Sequence, residues 1–318
     1  MRRVLIPDAI HPDGIALLRD HGGFDVLTQE ALADPAARTA ALAGAEAMIV
    51  RGMPVNQALL DNAPLLRFVC RHGVGYDTVD VPALLAHGGT LAITPEANAL
   101  SVAEHALMLM LTLARRLVDY NAGLRRGEWR VQSDSPTFDL AGRTVLLIGF
   151  GRIGTRVAKL CAAFGLRVLV HDPAIPANTI RGLGFVPAPD RAAAMAEADI
   201  VSLHLPSNKH TRGLVDAGFL AAMKPGSVLI NTARGTLVDE AALEAALRSG
   251  HIAAAGIDVI HTEPMTTPIP LLSLPNVVAT PHVAASTAQS LRRMSLSAAT
   301  NVIDYFNGCL DPDSVILE

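Results

Sequence analysis

The chain has 318 residues, half of them hydrophobic and 18% charged, with a formal net charge of −4. That length exceeds what a single hydrophobic core usually supports, so two domains are expected, and the apolar content excludes a disordered chain. The slight acidity offers no general attraction to nucleic acid, and no stretch of about 18 residues is apolar enough to span a bilayer.

In chain order, short apolar runs alternate with helix-like segments, the pattern of parallel sheets covered by helices. Strands are expected at 4–7, 25–28, 47–51, 67–71 and 91–94, with helices at 12–21 and 35–43. The first apolar run is short and stopped by Asp8, which reads as a strand rather than a signal peptide. A long helix is expected from Ser101 to about 126, opened by a capping box of Ser101 and Glu104. Its stripe of Val102, Ala106, Leu107, Leu109, Met110, Leu113, Leu117 and Val118 is wider than a helix on one surface needs. Burial between domains, or a homodimer interface over 101–126, follows from that width.

A polar segment over 129–139 is expected to be a loop. Strands then recur at 144–148, 167–171, 200–205, 227–231, 254–259 and 277–280, enough for a complete doubly wound sheet. The helix-like stretch 286–308 is too short for a domain and is expected to return to the first one. The division predicted is 1–99 plus 285–318 for one domain and 100–284 for the other. Cys70, Cys161 and Cys309 are odd in number and match no metal-ligand spacing. They read as reduced thiols of a cytoplasmic protein, with no metal site expected.

Gly149-Phe150-Gly151-Arg152-Ile153-Gly154 directly follows the strand 144–148 and leads into a helical pattern. The first glycine permits a tight turn, the second lets the backbone approach a pyrophosphate, and the third lets helix and strand pack closely. Phosphates then sit on free N–H groups at the helix start. Asp172 ends the next strand, 18 residues after Gly154, where a carboxylate accepts hydrogen bonds from ribose hydroxyls and repels a 2′-phosphate. The cofactor expected is therefore NAD. His204 and Pro206, and Thr232 and Ala233, lie at later strand ends on the ligand side of such a sheet.

Arg234, Glu263 and His282 fall at the ends of three successive predicted strands. Reduction of a 2-keto acid needs a group that holds the carboxylate and another that gives a proton to the carbonyl oxygen. A guanidinium fork suits the first task, an imidazole the second, and a neighbouring carboxylate keeps the imidazole oriented and protonated.

With these residues in order, the sequence resembles the D-isomer-specific 2-hydroxyacid dehydrogenases, in particular the phosphoglycerate and hydroxypyruvate (glyoxylate) dehydrogenase branch. The stretches that carry the likeness run from Arg71 to Asp77, Asn98 to Glu104, Gly149 to Gly154, Leu229 to Gly235, Gly256 to Val259 with Glu263-Pro264, and Thr280 to His282. The resemblance implies a Rossmann NAD-binding domain inserted into a flavodoxin-like substrate domain. It implies that His282 is the general acid/base, Glu263 its partner and Arg234 the substrate-orienting arginine. Asp258 is placed by it at the nicotinamide carboxamide. Val74 and Gly75 match a loop whose N–H groups hold the substrate carboxylate, and Arg51 and Gly52 match a second substrate contact. Arg71 and His72, with Arg51, are candidates to receive a second anionic group, as in a 3-phosphoglycerate-like or sulfolactate-like substrate. Asp77 and Asp80 read as turn or cap residues.

The chain ends shortly after the returning helix, so a C-terminal regulatory domain is not expected. An L-specific lactate- or malate-type enzyme would carry its glycine motif near the N-terminus, where this chain has a whole α/β unit. A corepressor that only senses NAD has no need of the Arg-Glu-His set.

Overall fold

The computed structural model describes residues 1–129 and 137–317. Most of the loop expected over 129–139 therefore lies outside the described residues. In chain order the first elements are β1 (Arg2–Ile6), α1 (Pro12–Asp20), β2 (Phe24–Thr28), α2 (Pro35–Ala43), β3 (Ala47–Val50), α3 (Gln57–Leu60), β4 (Phe68–Arg71), α4 (Val81–Ala86) and β5 (Thr90–Ala92). The middle of the chain gives α5 (Ala99–Ala114), α6 (Leu117–Arg125), β6 (Thr144–Ile148), α7 (Arg152–Ala163), β7 (Arg167–His171), α8 (Ala177–Gly182), β8 (Val186–Pro187), α9 (Arg191–Glu197) and β9 (Ile200–Leu203). The remainder gives α10 (Ala217–Ala222), β10 (Ser227–Asn231), α11 (Glu240–Arg248), β11 (Ile252–Ile257), β12 (Val277–Ala279), α12 (Ala288–Asn307) and β13 (Val315–Ile316).

The chain forms two compact units, Met1–Ala99 with Ala285–Glu318, and Leu100–Ala284. The first carries a six-stranded sheet in the order β13-β5-β4-β3-β1-β2. Its strands are parallel except β13, which runs antiparallel to β5. Helices α1 and α12 pack together on one face, where Ala298, Ala299 and Val302 meet Val4, Ile49 and Phe68. Leu42, Leu59, Leu60 and Leu84, from α2, α3 and α4, cover the other face. Each fully buried leucine of this kind contributes about 2 kcal/mol by leaving water. Asp80 caps α4 by accepting the Ala83 N–H, as a cap residue should.

The second unit carries seven parallel strands in the order β12-β11-β10-β9-β6-β7-β8. Strand order reverses between β6 and β9, the switch point at whose carboxyl ends such sheets bind ligands. Apolar clusters fill both faces, one around Leu146, Leu229 and Leu243, the other around Leu109, Val145 and Ile230.

Two sequence expectations need correction, and two strands were not foreseen. The helix expected over 101–126 is two helices, because Arg116 adopts a left-handed backbone (φ 49°) and ion-pairs with Asp119 at 2.7 Å. Apolar periodicity does not register such a break, since a non-glycine residue rarely makes one. The capping box is absent as such: α5 begins at Ala99, and Ser101 is buried inside the helix. Strands β8 and β13 escape a sequence reading because two residues show no period. Pro187 in β8 is tolerated because that strand lies at the sheet edge. Among the described residues, no helix is long and apolar enough to cross a membrane.

Candidate active site

The glycine loop joins β6 to α7 at the switch point. Gly149 has φ 97°, and a β-carbon there would overlap the carbonyl of His204. One at Gly154 would overlap the carbonyl of Gly149. Gly151, the N-cap of α7, faces open space and makes no side-chain cap bond. Its lack of a side chain leaves the start of α7 open to an anion. The Asp172 carboxylate, at the end of β7, accepts the Phe150 N–H at 2.8 Å and the Ala174 N–H at 2.9 Å. It therefore holds the loop and keeps a fixed position of its own. Arg152 and Ile153 form the first turn of α7.

Across the switch point, the ring of His204 lies 2.8 Å from the Ser202 hydroxyl, and burial lowers its pKa to about 3, so it is neutral. Pro206 follows two residues later, its carbonyl accepting the Thr211 hydroxyl. At the end of β10, Thr232 is buried and its hydroxyl has no partner. An orphaned polar atom, a glycine cradle and a fixed carboxylate at the carboxyl ends of one parallel sheet fit a dinucleotide that brings its own polar groups.

Asn231 was not singled out in the sequence, yet it shapes the next turn. Its side chain donates to the Arg234 carbonyl at 2.9 Å and accepts the Ala233 N–H at 3.0 Å. Gly235 must be glycine, since a β-carbon would overlap the carbonyl of Ile260. Arg234 is thereby presented half-buried, with Nη1 donating to the Ala233 carbonyl.

Glu263 and His282 meet directly: Nδ1 of His282 lies 2.6 Å from Oε2 of Glu263. The other carboxylate oxygen accepts the Ile260 N–H at 3.0 Å. Burial alone would raise the Glu263 pKa. The His282 hydrogen bond and charge, the Ile260 N–H and the Arg234 charge outweigh it and hold the carboxyl below the usual glutamate range. Half of the His282 side chain remains exposed. Its backbone is left-handed (φ 53°), a conformation that costs an L-residue roughly 1–2 kcal/mol.

Asp258, expected at the cofactor, is 1% exposed and uses both side-chain oxygens within the turn that carries His282. His105 of α5 joins it there, 2.9 Å from Thr280 Oγ1. Neither His105 nor Thr280 was assigned a role from sequence. The one signal was a polar ring among the apolar residues of a helix.

The substrate candidates 51–75 lie in the other unit. The Arg51 and Gly52 N–H groups, with that of Met53, all donate to one oxygen of Asp8, at 2.6, 3.0 and 3.1 Å. Gly52 therefore has no N–H left to offer, while the Arg51 side chain is exposed. Arg71 is folded back, its Nη1 donating to the carbonyls of Val50 and His72. His72 is 3% exposed, with no ring hydrogen bond of normal geometry. Burial first, then the charges of Arg51 and Arg71, pull its pKa down to about 4. Among the described residues, the Val74 and Gly75 N–H groups have no hydrogen-bond partner. No cluster of three metal-ligating side chains occurs among the described residues.

The chain is similar to several known proteins. D-3-phosphoglycerate dehydrogenase of Mycobacterium leprae is 41% identical over 318 residues, covering 98% of this chain. The chain spans 58% of that relative's length. Hydroxypyruvate reductase of Thermotoga maritima is 35% identical over 303 residues, covering 94% of this chain and 97% of its own. The crystal structure of an NADPH-dependent glyoxylate/hydroxypyruvate reductase from Sinorhizobium meliloti, in complex with citrate, superposes with a TM-score of 0.86 at 35% identity. That match covers 99% of this chain and 98% of the other. Residues 107–284 match the NAD-binding domain of the D-isomer specific 2-hydroxyacid dehydrogenases, and the chain belongs to that family.

Proposed function

We propose that this chain is an NAD-dependent oxidoreductase that interconverts a small D-2-hydroxy acid and its 2-keto acid. The observation that carries the reading is the His282–Glu263 pair at 2.6 Å, on the unit that matches an NAD-binding domain. When bound, NADH would supply the hydride to C2 in reduction, and NAD⁺ would accept it in oxidation. Glu263 accepts the Nδ1 proton of His282 in a hydrogen bond, which leaves Nε2 to carry the reacting proton. In reduction Nε2 gives that proton to the carbonyl oxygen; in oxidation it takes it back. The Glu263 charge stabilises the imidazolium form, and Arg234 holds the substrate carboxylate.

Gly149 to Gly154, Thr232 and Ala233 are assigned to the cofactor, with His204 and Pro206 beside them. Asp172 favours NAD over NADP, although the Sinorhizobium relative is NADPH-dependent. The unpaired Val74 and Gly75 N–H groups fit a substrate carboxylate. The exposed Arg51 fits a second anionic group, as in a 3-phosphoglycerate-like acid. A second reading, hydroxypyruvate or glyoxylate reduction, is favoured by the neutral His72 and by Arg71, whose Nη1 is directed to the Val50 and His72 carbonyls.

Helices α5 and α6 expose Leu100, Met108, Leu117, Val118 and Leu124, which fits a homodimer through this region. The three free cysteines fit a reducing cytoplasm. The deciding experiment is a panel of glyoxylate, hydroxypyruvate, phosphohydroxypyruvate, sulfopyruvate and branched 2-keto acids, followed by the absorbance of NADH or NADPH. Oxidation of NADH by none of them would overturn the proposal.

A further inference from the structure

A left-handed backbone at His282 has to be held from outside the residue. The holders converge on Asp258. Its carbonyl accepts the His282 N–H at 2.7 Å. Oδ1 accepts the Thr280 hydroxyl and the Val283 N–H, and Oδ2 accepts the Ala284 N–H. Behind this carboxylate stands His105, with Nε2 2.9 Å from Thr280 Oγ1 and 3.5 Å from Asp258 Oδ1. Thr280 has one hydroxyl proton, and the 2.5 Å contact directs it to the carboxylate. The hydroxyl oxygen must then accept from His105, which places a proton on His105 Nε2. A line of donors runs from His105 through Thr280 to Asp258, each bond polarising the next.

We propose that His105 and Thr280 are positioning residues for His282, acting through Asp258 to hold the 280–284 turn that aims its imidazole. Neither is assigned a contact with substrate or cofactor. The inference rests on the reading of His282 as the proton donor. If the two side chains only filled space, apolar groups of similar shape would replace them without consequence.

The test compares the wild type, T280V, T280S and H105F in NADH-dependent reduction of the best keto acid from the panel. NADH affinity is titrated by fluorescence, and amide exchange over 278–286 is followed by mass spectrometry. T280V should lower kcat at least ~10-fold, with the keto-acid KM and NADH Kd within about twofold of wild type. Exchange should quicken in the 278–286 segment alone. T280S, which restores the hydroxyl, should recover kcat to within roughly threefold. H105F acts from a different helix and should lower kcat in the same sense, so it carries the comparison if T280V does not fold. Wild-type kcat in both T280V and H105F would overturn the proposal. So would T280S as impaired as T280V, or a loss confined to NADH affinity. If the wild type reduces no keto acid, the functional reading fails, and the exchange data alone decide whether this pair holds the turn.

Discussion

Nδ1 of His282 and Oε2 of Glu263 stand 2.6 Å apart, and the Glu263 carboxyl is held below the usual glutamate range. A depressed carboxyl stays ionised as the pH falls, and its contribution is lost only when the pH drops through its folded-state value. Keto-acid reduction should therefore keep its Glu263-dependent activity through the ordinary glutamate range. E263Q removes the charge beside the imidazole. The expected outcome is a fall in kcat/KM of at least roughly tenfold at neutral pH. An unchanged kcat/KM in E263Q would remove Glu263 from the proton-transfer set.

Arg234 is fixed by the Asn231 turn and offers a planar fork, which lysine cannot imitate. R234K keeps the charge and should still raise the keto-acid KM and lower kcat, by ~10- to 100-fold in kcat/KM. NADH affinity should stay close to wild type. Steady-state kinetics with a parallel NADH titration separates the two effects.

Asp172 binds the backbone at Phe150 and Ala174, so it is in place before a cofactor arrives. D172S should lower kcat/KM for NADH about tenfold or more and narrow the preference over NADPH, because the repulsion of a 2′-phosphate is gone. Equal losses for the two cofactors would show that the carboxylate only shapes the loop. The paired titration decides it.

His72 should make the fold sensitive to acid. Its pKa is down to about 4 when folded, against about 6.5 in an unfolded chain. Between those values the unfolded chain binds a proton that the folded chain refuses, so stability falls as the pH falls. The stabilisation is complete above about pH 6.5 and lost by about pH 4, on the order of 3 kcal/mol in all. Urea denaturation at a series of pH values should show this slope for the wild type and a shallower one for H72Q. Parallel slopes would discard the assignment.

Much of the site was legible in the sequence because its chemistry depends on residue type at fixed spacing. The glycine loop, Asp172, Arg234, Glu263 and His282 follow recognisable strands, and a parallel strand buried on both faces announces itself as an apolar run. What stayed hidden depends on contacts between residues far apart in the chain. Asp258 is bound to the turn 22–26 residues later, and His105 is 175 residues from Thr280. Neither pairing leaves a local pattern. The inward folding of Arg71 was invisible for the same reason: a sequence shows a cation but not the carbonyls that claim it. The break at Arg116 was hidden because its backbone, rather than its side chain, departs from the helix.

The carboxylate of Asp8 limits what the backbone of its neighbouring loop can bind. Three consecutive amides converge on it, at residues 51, 52 and 53. Such a concavity is a ready-made anion receptor, and here the protein fills it with its own anion. An incoming acid cannot gain from those amides without displacing a tethered competitor that is never diluted away. What the loop leaves open is a side chain: Arg51 is exposed above amides that are already taken, and it can be exchanged without refolding the loop beneath it.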